Sequence, residues 1–114
     1  MIVYGLKNCD TCRKAMKWLD NASVAYEFCD VRSQRVPRAI LTDAIKDLGE
    51  KRLLNIRSTT WRGLSDADRA HDPLALLEAH PTLIKRPLIV FDGWFSVGWT
   101  SEIISSLEAR LAAA

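Results

Sequence analysis

The feature that most constrains this chain is a Cys-x-x-Cys motif between a β-prone run and a helical pattern. Ile2–Tyr4 favours a short strand closed by Gly5, and apolar side chains then recur at helical spacing over Cys12–Leu19. Val24–Cys29 alternates apolar and mixed positions and predicts a second strand. A strand, a helix and a strand in so short a span form a βαβ unit, which is right-handed and parallel in nearly all known proteins. We therefore expect a parallel pair of strands with the cysteine motif at the start of the first helix.

The segment after this unit carries mainly helix signals. Pro37 suits the first position of a helix, and an apolar stripe over Ile40–Leu48 ends at Gly49, which predicts a second helix. Residues 50–84 carry shorter signals, including a possible capping box formed by Ser65 and Asp68. Small helices are expected there.

The last third of the chain predicts a hairpin and a final helix. Leu88–Phe91 and Trp94–Val97 are separated by Asp-Gly, which supplies the positive φ values of a tight antiparallel turn. Thr100 or Ser101 can cap the last helix. The whole order predicts an α/β fold with a four-stranded mixed sheet and helices packed on it.

Composition narrows the class of protein. The chain has 114 residues, 48% of them hydrophobic and 26% charged, which fits one globular domain. Its net charge of +2 gives no support for nucleic-acid binding. No stretch reaches the roughly 18 apolar residues of a membrane helix, and the N-terminus lacks a secretory signal. We expect a cytoplasmic monomer that binds neither nucleic acid nor a membrane.

The cysteines carry the candidate chemistry. The positive end of the first helix favours a thiolate at Cys9, so we expect a lowered pKa and a nucleophilic role there. Cys12 lies one helical turn further on, within disulfide reach of Cys9. Because it also begins the apolar stripe, Cys12 is either a resolving thiol or a small buried side chain. Cys29 alternates with apolar neighbours and is interpreted as a buried core thiol.

A metal site and an anion site are two further interpretations that the sequence allows around the cysteine motif. No second Cys-x-x-Cys and no close histidine pair accompanies the motif, so no metal is expected. Arg57 and Arg86 are each compatible with a solvated surface position. A guanidinium is nevertheless the side chain suited to holding a carboxylate or an oxyanion beside a thiolate.

Three separated segments resemble one known family. Tyr4–Thr11, Leu54–Arg62 and Ile84–Leu88 closely resemble the ArsC/Spx/YffB family, and most closely its YffB-like branch. The resemblance implies a thioredoxin or glutaredoxin-like fold with an inserted helical subdomain at roughly residues 35–83. Residues 1–114 would then form a single ArsC-like domain.

The resemblance also implies roles for particular residues. Cys9 takes the place of the nucleophile, while Arg57 and Arg86 take the places of two anion-contacting arginines. Pro87 takes the place of a cis proline that lies beside the thiol, and Asn8 joins these residues in substrate binding. Arsenate reductases of the family also use an arginine near the start of the last helix. Residues 97–101 contain none, which counts against arsenate reduction.

Three functions follow from the resemblance. YffB-like members are regarded as glutathione-dependent thiol reductases, so the leading expectation is an oxidoreductase with glutathione as cosubstrate and no bound cofactor. Cys9 would attack glutathione or a thiol substrate that carries it, and Cys12 or a second glutathione would resolve the mixed disulfide. The alternatives are an arsenate reductase coupled to glutathione or glutaredoxin, and an Spx-like redox sensor that binds RNA polymerase. A fold without thiol function is the remaining interpretation.

Overall fold

A mixed four-stranded sheet lies at the centre of the molecule. The computed structural model describes residues 1–114. The strands β1 (Ile2–Gly5), β2 (Glu27–Asp30), β3 (Leu88–Phe91) and β4 (Trp94–Val97) lie in the order β2-β1-β3-β4. β1 is parallel to β2 and antiparallel to β3, which is antiparallel to β4. The predicted mixed sheet is confirmed, and it is the sheet of the thioredoxin-like fold.

Seven helices surround this sheet. The long ones are α1 (Asp10–Asn21), α2 (Arg38–Leu48) and α7 (Ser101–Ala113). Shorter helices connect β2 to β3 after α2: α3 (Glu50–Leu53), α4 (Thr59–Arg62), α5 (Asp66–Arg69), α6 (Pro73–Ala79) and a 3-10 turn at Pro81–Leu83. None of the helices combines the length and the apolarity that a bilayer span requires.

Local signals determine several of these boundaries. Asp92 and Gly93 have φ values of +46° and +78°, which form the tight turn expected between β3 and β4. The Thr100 hydroxyl accepts a hydrogen bond of 3.2 Å from the Ile103 N–H and caps α7. Ser65 likewise accepts one of 3.1 Å from the Asp68 N–H at the start of α5. The hairpin and both caps are confirmed.

Two boundaries differ from the sequence-based expectation. β2 begins at Glu27 and not at Val24, because the Val24 N–H donates to the Leu19 carbonyl over 3.0 Å and completes the turn that ends α1. Pro37 precedes α2 and is not its first residue, since its ψ of 139° is extended.

The two faces of the sheet pack against different helices. On one face, Val3 and Ile89 pack with Leu19 of α1 and Leu107 of α7. The other face belongs to a cluster of fifteen buried residues that extends into the helices between β2 and β3. That insertion therefore shares a continuous core with the sheet, and its description as a separate subdomain over residues 35–83 stays a prediction.

Candidate active site

Cys9 is the last residue before α1. Its backbone is extended, its N–H donates to the Leu6 carbonyl over 3.2 Å, and its carbonyl accepts the Arg13 N–H at 2.9 Å. The thiol is half-buried, so the sulfur is held at the helix N-terminus and remains accessible. A helix N-terminus presents unpaired N–H groups and positive potential, both of which favour an anion.

Cys12 lies one turn further along α1 and is completely buried. It faces the end of β1, where a Cβ atom placed on Gly5 would lie 2.5 Å from the Cys12 sulfur. Only glycine leaves room for the Cys12 thiol at this point. The packing of α1 against the end of β1 thus places Cys12 directly behind Cys9.

The two thiols differ in acidity. Burial alone would raise the pKa of Cys9, but hydrogen bonds from the Cys12 N–H, the Cys12 thiol and the Thr11 N–H outweigh it. The charge of Arg86 acts in the same direction, and the net pKa of Cys9 is lowered, as predicted.

The pKa of Cys12 shifts in the opposite direction. Burial raises its pKa to about 11. The Leu6 N–H opposes this shift, whereas the hydrogen bond to Cys9 and the charge on that sulfur add to it. As the pH rises, Cys9 is therefore the first thiol of the pair to ionise, and Cys12 keeps its proton longer.

An open cavity of about 400 Å³ adjoins Cys9. Its walls come from four separate segments of the chain: Cys9, Thr11, Asn55, Lys85, Arg86, Val97, Gly98, Trp99 and Thr100. Lys85 and Arg86 contribute positive charge, and no carboxylate lines the cavity. The arrangement suits an anionic ligand beside a thiolate.

Arg86 is oriented by the backbone. One of its Nη atoms donates to the Thr82 carbonyl over 2.8 Å, while its buried Nε has no partner in the protein. Arg86 therefore lines the cavity with a guanidinium whose Nε is closed off from solvent.

Trp99 lines the cavity, and Pro87 directly follows the lining residue Arg86. The Arg86–Pro87 peptide is cis, as the resemblance implied, and Pro87 is buried. Its carbonyl accepts the Gly98 N–H at 3.0 Å and joins the two loops on that side. The Trp99 ring meets Trp18 of α1 edge to face, with centroids 5.9 Å apart. Trp99 is thereby braced against the helix that carries the cysteines.

Four predicted site residues are absent from the cavity lining: Cys12 and Pro87, which are buried, and Arg57 and Asn8. Arg57 is exposed, and its guanidinium makes neither a hydrogen bond nor an ion pair. Asn8 is also exposed, and neither residue is part of the cavity lining. The structure therefore brings together Cys9, Cys12 and Arg86, and the roles of Arg57 and Asn8 stay predictions.

Sequence reasoning overlooked several residues that shape the site. Lys85 is next to Arg86 in sequence, and Asn55 lies two residues before Arg57. Both could therefore have been found from the predicted site residues near them. Trp99 lies within residues 97–101, a segment that sequence reasoning considered only because it lacks an arginine. Gly5 had no local signal, because its role depends on the position of Cys12 in three dimensions.

The remaining cysteine and the histidines lie apart from this site. Cys29 is buried on β2 opposite Tyr4, and burial raises its pKa, which confirms it as a core thiol. His71 and His80 adjoin a different cavity near α6. No three His, Cys, Asp or Glu side chains come close enough to hold a metal ion.

Comparisons with known proteins agree with this geometry. An uncharacterized protein of Haemophilus influenzae is 39% identical over 104 residues, which are 88% of this chain and 91% of that one. The global transcriptional regulator Spx 2 of Bacillus cereus is 24% identical over 96% of this chain and 88% of its own length. The solved structure of the YFFB (PA3664) protein superposes with a TM-score of 0.85 at 34% identity, covering 92% and 96% of the two chains.

A sequence model described as the ArsC family matches residues 4–107, which is nearly the whole chain. The matched region contains both cysteines of the motif, the cavity lining and the cis proline. The chain therefore belongs to the ArsC family.

Proposed function

We propose that this protein is a thiol–disulfide oxidoreductase with Cys9 as its nucleophile and glutathione as its reducing cosubstrate. The observation that carries the proposal is an accessible Cys9 thiol at the N-terminus of α1, with the buried Cys12 one helical turn further on and a cationic cavity beside it. An accessible sulfur that ionises and a buried one that stays protonated are the two parts that stepwise disulfide exchange requires.

The reaction has two exchange steps. The Cys9 thiolate attacks one sulfur of a substrate disulfide, a bond forms between these sulfurs, and the substrate S–S bond breaks. The departing thiolate takes a proton from solvent. Cys12 then gives up its proton and attacks the Cys9 sulfur, which releases the second substrate thiolate and leaves a Cys9–Cys12 disulfide. The substrate gains two electrons, and the protein dithiol loses them.

Glutathione returns the protein to its dithiol form. One glutathione thiolate attacks the Cys9 sulfur and frees Cys12, and a second attacks the mixed disulfide and leaves as glutathione disulfide. Because this cycle needs a pool of reduced thiol, we assign it to the cytoplasm.

Arg86 and Lys85 support this chemistry by charge. Glutathione carries two carboxylates, and the cavity beside Cys9 offers two cations, Lys85 and Arg86. The positive charge of Arg86 also stabilises the Cys9 thiolate. We assign Arg86 to anion binding within the cavity, and Arg57 and Asn8 to contacts outside it.

Intact-mass measurement tests the proposal directly. Reduced wild type, Cys9→Ser and Cys12→Ser are exposed to oxidised glutathione. We expect a single glutathione adduct to accumulate in Cys12→Ser and an internal disulfide to form in wild type. Cys9→Ser should form neither, because Cys12 is buried. An adduct that forms equally well without Cys9 would show that the nucleophile is wrongly assigned.

Arsenate reduction is the second candidate, favoured by the two cations that share a cavity with Cys9 and would suit an oxyanion. In that reaction Cys9 would attack arsenic, and glutathione or glutaredoxin would complete the reduction. The absence of an arginine at residues 97–101 stands against it. A coupled assay decides: no arsenate-dependent turnover removes this candidate.

A redox sensor is the third candidate, and the observation that favours it is the presence of Cys12 directly behind Cys9. Closing a Cys9–Cys12 disulfide would change the N-terminus of α1 and the surface around it. The hypothesis requires that RNA polymerase bind the oxidised and reduced forms differently. Equal capture of the two forms, or capture of neither, would exclude it.

A further inference from the structure

We propose that the turn Asn55–Ser58 is a docking contact for a protein partner of this enzyme, with Ile56 as its apolar anchor. The partner segment is acidic and carries the sulfur that reacts with Cys9. This inference rests on the proposed exchange at Cys9 and names the partner class of that same site.

Ile56 is the only large hydrophobic side chain that is exposed, and its exposed fraction is 60%. A single exposed apolar side chain needs no explanation by itself. The position of Ile56 gives it significance, because its neighbour Asn55 lines the Cys9 cavity. A molecule that approaches the Cys9 sulfur can therefore also contact the Ile56 side chain.

The turn holds Ile56 in place through its backbone. The Asn55 N–H donates to the Leu83 carbonyl over 2.7 Å, and the Arg57 N–H donates to the Asn55 side-chain oxygen over 3.2 Å. The Ser58 N–H and hydroxyl both donate to the Asn55 carbonyl, at 3.2 and 2.8 Å. Because the turn is already ordered, a partner binds it without the entropy loss of fixing a loop.

The charge beside the turn selects an acidic partner. Lys85 and Arg86 line the cavity, the Arg57 guanidinium is unpaired, and no carboxylate faces them from the lining. The acidic residue next to Cys9 in sequence, Asp10, is engaged by Arg13 at 2.8 Å. A cationic surface of this kind accelerates association with an acidic partner and slows it with a basic one.

A ligand that reaches both Cys9 and Ile56 has to be larger than the cavity. A cavity of about 400 Å³ accommodates a small thiol compound. Ile56 and Arg57 lie outside that cavity, so a ligand that fills it leaves both side chains in water. A ligand that places sulfur at Cys9 and also covers Ile56 has to extend across Asn55, as a peptide segment does.

The test compares three 2-thiopyridyl mixed disulfides by the rate at which they release pyridine-2-thione. One is a short cysteine peptide with leucines beside the cysteine and glutamates at both ends, and one replaces the glutamates with lysines. The third is the mercaptoethanol derivative, which reports on Cys9 without a docking contact. We expect wild type to react faster with the acidic peptide than with the basic one, by about tenfold at low salt.

Variants of the turn identify the contact. Ile56→Ser should slow the acidic peptide by about three- to tenfold, as expected for a half-covered apolar side chain. It should leave the mercaptoethanol derivative unchanged, and Ile56→Leu should retain the wild-type rate. Lys46→Ser, at an exposed cation on α2, is the surface control and should change nothing.

The outcomes separate this inference from the proposed function. If Ile56→Ser slows neither peptide, or slows all three probes equally, the docking role is wrong although Cys9 still reacts. If the basic peptide reacts as fast as the acidic one, the partner class is wrong. If the mercaptoethanol derivative fails to react with wild type, the proposed function itself is wrong.

Discussion

The charge state of Cys9 depends on Arg86 as well as on the hydrogen bonds around its sulfur. Thiol reactivity rises as pH increases through the pKa, so a lowered pKa moves that rise to lower pH. We expect the alkylation rate of Cys9 to reach half its maximum at a lower pH than that of an unperturbed thiol. Arg86→Ala should move the midpoint upward, because the thiolate loses a nearby positive charge.

Iodoacetamide labelling followed by mass spectrometry measures this midpoint. Arg35→Ala is the matched control, since Arg35 is exposed and adjoins a different cavity. A midpoint that does not move in Arg86→Ala would contradict the assigned electrostatic role.

Gly5 and Cys12 form the closest steric contact of the site. A methyl group at position 5 would meet the Cys12 sulfur at 2.5 Å, whereas the Cys12 Cβ lies at an ordinary 3.5 Å. We expect Gly5→Ala to lower the free energy of unfolding by about 1–3 kcal/mol, as overpacking typically does. The same substitution in a Cys12→Ala background should be much less harmful.

A double-mutant cycle in urea measures this coupling. Additive effects of the two substitutions would show that the methyl group and the sulfur do not compete for space. The sequence marks Gly5 only as the end of a strand, because nothing local indicates that a helix side chain from seven residues further on fills this space.

The N-terminus of α7 illustrates what local sequence determines. Thr100 caps α7 and also borders the cavity beside Trp99. We expect Thr100→Ala to lower the free energy of unfolding by about 1 kcal/mol, because the Ile103 N–H loses its partner. Urea denaturation measures the change, and Ser101→Ala is the control at the next exposed position. Equal stability of Thr100→Ala and wild type would contradict the cap.

Elements with strong local signals were predictable, and those that depend on distant partners were not. The Asp92-Gly93 turn and the Thr100 cap need only neighbouring residues, and both were identified from sequence. The true start of β2 depends on the Val24 N–H, which donates to the Leu19 carbonyl at the end of α1, and the alternation of apolar residues does not reveal this bond. The residue pattern suits Pro37 either just before the helix or as its first residue, so its extended ψ could not be predicted from that pattern.

The site as a whole needed the fold before it could be described. Its cavity joins four segments, so motif matching located Cys9 and Arg86 but could not place Arg57 outside the lining. The insertion between β2 and β3 shares its core with the sheet, which no single stretch of sequence reveals. What sequence supplied was the chemistry of the residue types, and the fold determined which of them meet.

The buried Cys12 thiol should make the stability of the molecule depend on pH. Its pKa is raised from 9.0 to about 11 in the folded protein. Between these values the unfolded chain releases the proton while the folded chain keeps it, so the unfolded state binds fewer protons and stability falls as pH rises. We expect wild type to lose up to about 2–3 kcal/mol from this group across that range.

Urea denaturation at pH 8 and at pH 10.5 isolates the effect when Cys12→Ala is compared with its parent and both carry Cys9→Ser, because the pKa of Cys9 itself depends on Cys12. Other groups with raised pKa values, including Tyr4 and Cys29, are present in both proteins and cancel in the comparison. Cys12→Ala should start less stable, because it leaves a small cavity, but should lose less stability at high pH. Equal losses in the two proteins would mean that Cys12 ionises as readily when folded as when unfolded, and a buried resolving thiol would then be excluded.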